Sequence, residues 1–96
     1  MTVAEHLPAL EREIEALLAP TATLPGRDAL ERTLTTGYAH ALRLEGERLD
    51  AEARLRALVR GGAAGDVLTA ASGDVSRVEA ELRRLRALLA TLRARL

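Results

Sequence analysis

Residues 74–96 read DVSRVEAELRRLRALLATLRARL, and within them Val75, Val78, Leu82, Leu85, Leu89, Leu92 and Leu96 recur in steps of three and four. A helix turns about 100° per residue, so those steps gather the side chains into one apolar seam of the heptad kind. Asp74, Glu79 and Glu81 stand near the start of the stretch, and Arg83, Arg84, Arg86, Arg93 and Arg95 toward its end. Both groups lie where the helix dipole favours their charge. The pattern predicts a helix over about 74–96 whose seam is hidden against another helix. Arg84 then reads as a solvated flank residue whose loss changes little.

Immediately upstream, Gly61, Gly62 and Gly65 loosen the backbone, and Ser72-Gly73-Asp74 has the composition of a helix start. A hinge over 61–73 follows. Before it, no proline interrupts the chain between Pro25 and Arg60, while Leu30, Leu34, Gly37, Ala41, Leu44, Arg48, Ala51, Leu55 and Leu58 keep the same alternation. This predicts a long helix over about 25–60, roughly 50 Å at 1.5 Å per residue. Tyr38, Leu42 and Leu49 form a second apolar line on it, so the helix meets more than one partner. Gly37, beside Ala41, reads as a point of close packing and Gly46 as a tolerated surface residue. A first helix over about 3–19 is carried by Val3, Leu7, Leu10, Ile14 and Leu17. Ala19-Pro20 ends it, and a proline-containing link leads to the long helix.

Composition agrees. Leu, Ala, Arg and Glu supply 62 of the 96 residues, and Phe, Trp, Cys, Lys, Asn and Gln are absent. These are helix formers, and a sheet-based fold is excluded. The expected fold is all-α: a single helical domain over 1–96, three helices with a long central one, arranged as an antiparallel hairpin or coiled-coil bundle and completed by dimerisation. The outer helices, about 24 and 34 Å long, together match the central one. Laid end to end along it, they bring His6 near Ala39 and His40, and Leu96 back to Tyr38. Residues 1–20 carry net −3 (Glu5, Glu11, Glu13 and Glu15 against Arg12) and residues 74–96 net +3 (six Arg against Asp74, Glu79 and Glu81), so the ends attract. Exposed pairs contribute about 0–1 kcal/mol each, and a buried aliphatic side chain about 1.5–3, so the seams carry the stability.

Function is bounded mostly by exclusion. The apolar runs are a few residues long, no signal peptide is recognisable, and no cysteine offers a disulfide or a thiolate. The cytoplasm is the expected location. His6, Tyr38 and His40 are the candidate polar junction, but no metal-ligand spacing accompanies the histidines. No phosphate loop or nucleophile elbow is present either. No catalytic residue, metal or cofactor is assigned, and no small-molecule substrate or membrane role is inferred. The arginines Arg83, Arg84, Arg86 and Arg93 suit phosphate contact, but the chain is neutral overall, and nucleic-acid binding stands as the alternative. The expected function is non-enzymatic: a helical oligomerisation or adaptor module that presents Val75, Val78, Leu82, Leu85, Leu89, Leu92 and Leu96 to a second copy of itself or to another helical protein.

Overall fold

A computed structural model describes residues 3–18 and 26–96, with the backbone alone for 3–6. The link over 19–25, with its two prolines, lies outside the described residues. Three helices make up the fold: α1 (Val3–Leu18), α2 (Arg27–Arg60) and α3 (Gly65–Arg93), and no strand occurs among the described residues. The all-α expectation holds. The longest dimension is 55 Å, close to the length of α2 itself.

The turn between α2 and α3 occupies only residues 61–64, and α3 starts nine residues before the expected 74. Among the described residues Gly62 alone adopts a positive φ, 71°. Its N–H donates to the Val59 carbonyl at 3.2 Å and the Ala63 N–H to the Leu58 carbonyl at 3.0 Å, the paired bonds that close a helix end on a left-handed glycine. With the turn closed there, the next residues are free to pair with α2. Leu68, Ala71 and Val75 extend the seam backwards in its own alternation; Ala71 is buried and the other two are half-buried. An open hinge over 61–73 would leave them in water. Their burial outweighs the roughly 1 kcal/mol that Gly73 costs at a helical position.

Because α3 is long, it pairs antiparallel with nearly all of α2 and is not confined to its second half. Leu89 lies against Gly37 so closely that a β-carbon built on Gly37 would stand 2.3 Å from the Leu89 Cδ2. The chain therefore runs on past Tyr38 toward the start of α2, where an Arg95 guanidinium N–H donates to the Leu18 carbonyl at 3.4 Å. This corrects the end-to-end register, which placed Leu96 at Tyr38.

The short α1 rests in one groove of the α2–α3 hairpin. Glu13 accepts from the Thr33 hydroxyl at 3.3 Å, and Glu11 accepts from Arg84. Thus α1 runs antiparallel to α2 and parallel to α3. Leu7, Leu10 and Ile14 complete a core with Leu30, Leu34 and Leu44 of α2 and with Val78, Leu82, Leu85, Leu89 and Leu92 of α3. Beyond the reach of α1 the hairpin continues as two helices, and there Ala51, Leu55, Leu58 and Val75 are only half-buried. Two helices hide no more than the sides that face each other.

Two glycines test this packing. Alanine at Gly37 gains about 1 kcal/mol of helix propensity but overpacks against the buried Leu89, which costs about 1–3. Gly37→Ala therefore lowers the midpoint of urea unfolding. Gly73 has open space around it. Gly73→Ala raises the midpoint, through a gain of up to about 1 kcal/mol in unfolding free energy, which a hinge residue would not do.

Candidate interaction surface

The α3 seam lies inside the chain. Leu85 and Leu92 are fully buried, Val78, Leu82 and Leu89 nearly so, and Val75 is half-buried, while Leu96 stays 46% exposed beyond the helix end. The helices that cover the seam are α1 and α2 of the same chain. Heptad periodicity requires a partner helix, and here the short turn at Gly62 supplies one from within. The surface open to another molecule is a different one.

A two-helix hairpin has two grooves. On α3, Arg84 points toward α1 and Arg86, two residues on, toward the opposite side, where it pairs with Glu45 of α2. Along this second groove the described residues place no helix. Its α2 wall is Tyr38, Ala41, Leu42 and Glu45, and its α3 wall is Arg86, Leu89, Ala90, Arg93 and Ala94, around a cavity of about 710 Å³. Leu42 is 71% exposed at its rim and Tyr38 46%; Leu49, one heptad beyond Leu42, is exposed as well. The second apolar line of α2 thus faces outward, and the walls beneath it are alanine and leucine with the Arg86–Glu45 pair and Arg93.

Tyr38 and His40 do not face one another. Tyr38 and His40 are two residues apart on a helix, about 200° around its axis. Tyr38 lines the open groove and His40 lies half-buried elsewhere. The His6 side chain is outside the described residues. Among those described, no three His, Asp or Glu residues come together as a metal site would need, and no helix is long and apolar enough to cross a membrane.

Arg84 has a role that periodicity did not disclose. Its Nη2 lies 3.0 Å from Glu11 Oε1 and 2.7 Å from Oε2, and Glu11 is only 7% exposed. A carboxylate set among Leu7, Leu10 and Ile14 is tolerated there because the guanidinium reaches over it from solvent. Sequence spacing gave no sign of this pair, which joins residues 73 positions apart. The net −3 of the first helix against the net +3 of the last was its only trace. Of the four arginines suited to phosphate, Arg84 and Arg86 are thus engaged within the chain.

The chain was compared with protein-family models, curated proteins and solved structures, and it matches none of them.

Leu85→Asp is expected to abolish cooperative unfolding, at a cost of more than about 4 kcal/mol, because it places a charge in the intrachain core. A folded variant with unchanged circular dichroism would show the seam to be peripheral. Arg84→Ala should destabilise by about 1–2 kcal/mol, a figure kept small because the arginine itself is solvated. Arg83→Ala, which touches no such partner, should stay within about 0.5 kcal/mol in the same urea titration.

Proposed function

We propose that the protein is a non-enzymatic helical association module whose docking surface is the uncovered side of the α2–α3 hairpin. The observation that carries this reading is the apolar strip Tyr38–Leu42–Leu49 beside an open groove of about 710 Å³. Leucines one heptad apart on a rigid helix are the anchors by which helices recognise helices, and side chains left this exposed mark an interaction site more often than scattered apolar residues do. The occupant is a second copy, as in the homodimer expected from the sequence, or another helical protein. In either case the leucines that meet it are those of α2, since the α3 seam is spent on the chain's own core.

The surface suits this use better than its alternatives. A nucleic-acid role is left with Arg83 and Arg93 on α3, flanked by an apolar groove in place of a basic channel. A chain without cysteine agrees with action in the reducing cytoplasm.

The test places a photoreactive amino acid at position 42 in place of Leu42, and separately at position 12 in place of the exposed Arg12 on α1, in the living host. Covalent protein adducts should form from position 42 and not from position 12. No adduct at 42, or equal yields from both, would remove the association reading.

A further inference from the structure

Resting on that reading, we infer that the occupant of the open groove is an amphipathic helix of another protein, acidic in its first turn and basic in its last, lying along α2 and in the same direction. Charges along the groove carry this inference. Arg86 of α3 pairs with Glu45 of α2 across it. In an antiparallel pair, seven residues forward on one helix match seven residues back on the other, so the groove has further rungs at that spacing. Toward the end of α3, Arg93 comes level with Tyr38; toward the turn, Glu79 comes level with Glu52. Glu45 gives Arg86 a carboxylate, whereas in the matching place Tyr38 offers Arg93 only a phenol. Glu52 turns to Arg48 on its own helix, 3.8 Å away. Arg93 and Glu79 are exposed, and neither takes part in an ion pair or side-chain hydrogen bond among the described residues. The groove thus has a cation at one end and an acid at the other, about 21 Å apart along α3. Leu42 and Leu49 lie exposed between them.

The filled groove shows how the hairpin takes a helix. There α1 adds Leu7, Leu10 and Ile14 to the core and sets Glu11 beneath Arg84. An occupant of the open groove needs apolar residues over Leu42 and Leu49, an acid at Arg93 and a base at Glu79. Acid in the first turn and base in the last is the distribution that the helix dipole favours. It places the N-terminus of the occupant at Arg93 and its C-terminus at Glu79, which is the direction of α2. A small amphiphilic acid would satisfy Arg93 but leave Leu49 and Glu79 uncovered. A second copy fits less well for a different reason. A two-fold axis at the Arg86–Glu45 rung does bring Arg93 opposite Glu79, but it sets Leu42 against Arg48 and Leu49 against Ala41, so the exposed leucines miss one another. A separate helix is free of that restriction.

The test uses the full chain and two stapled synthetic helices with the same leucines and no aromatic residue. One carries glutamate in its first turn and arginine in its last; the other carries arginine at both ends. Tyr38 is the only aromatic residue of the chain, so its fluorescence reports the groove directly. The first helix should change that emission saturably and bind about tenfold tighter than the second. Arg93→Glu should invert the order, while Arg12→Glu, on the exposed side of α1, should keep it. A nitroxide on the first residue of the bound helix should broaden the amide resonances of Tyr38 and Arg93 more than those of Glu52 and Glu79. Equal affinities for the two helices, an order that Arg93→Glu does not invert, or stronger broadening at Glu52 and Glu79 overturns the inference. Displacement of the helix by an equimolar amount of dodecanoate also overturns it, and gives the groove to a small amphiphile. A sedimented mass above 10.3 kDa that returns to 10.3 kDa in Leu42→Arg overturns it in favour of a second copy. Photo-adducts from position 42 to a host protein, with neither synthetic helix bound, would overturn the charge pattern and leave the association reading standing.

Discussion

The contact between Gly37 and Leu89 sets the register on which the other packing depends. A residue without a β-carbon lets α3 approach α2 until the leucine fills the vacated space, and this locks two long helices against sliding. Once Leu89 is opposite Gly37, Ala41, Leu44 and Ala51 of α2 meet the seam in turn, and the four-residue turn at 61–64 follows because no longer link is needed. The register also determines what α1 finds: one groove lined by Leu30, Leu34, Leu44, Leu82 and Leu85, deep enough to bury Ile14 completely. The length of α1 then limits the three-helix core to about half the molecule.

Local periodicity made the helices legible, including the small residue at Gly37 and the second apolar line of α2. It could not say which chain supplies the partner. The steps from Val75 to Leu92 require only that some helix lie against them, and this requirement is the same whether the helix belongs to the chain or to its neighbour. The start of α3 was illegible for another reason. Gly61, Gly62, Gly65 and Gly73 give equal punctuation signals, yet only Gly62 takes the conformation that needs glycine. The others are helical or nearly so because long-range burial of Leu68, Ala71 and Val75 overrides weak local preference. Of the Tyr38, His40 and His6 junction, Tyr38 and His40 part because two-residue spacing turns their side chains to different faces, and the His6 side chain lies outside the described residues.

Electrostatics contribute selection more than strength. Most ion pairs are solvated and lie within one helix, such as Arg27–Glu31 and Arg77–Asp74, where each contributes about 0.2–0.5 kcal/mol. The long-range pairs divide the two sides of the hairpin between them. Arg84 is open to the carboxylate of Glu11, and Arg86 is taken by Glu45. An acidic α1 placed in the opposite groove would meet Arg86 already neutralised and would bury Glu11 without a partner, at a cost of about 1–2 kcal/mol. The difference of two residues along α3 thus directs α1 to one side and leaves the other open.

The same asymmetry defines what the open side accepts. The filled groove receives a helix bearing an acid among its apolar residues, because an uncommitted guanidinium awaits it. In the open groove Arg86 is already paired with Glu45, while Arg93 at its far end takes part in no ion pair among the described residues, so the side is apolar around Leu42 and Tyr38 with one cation left over.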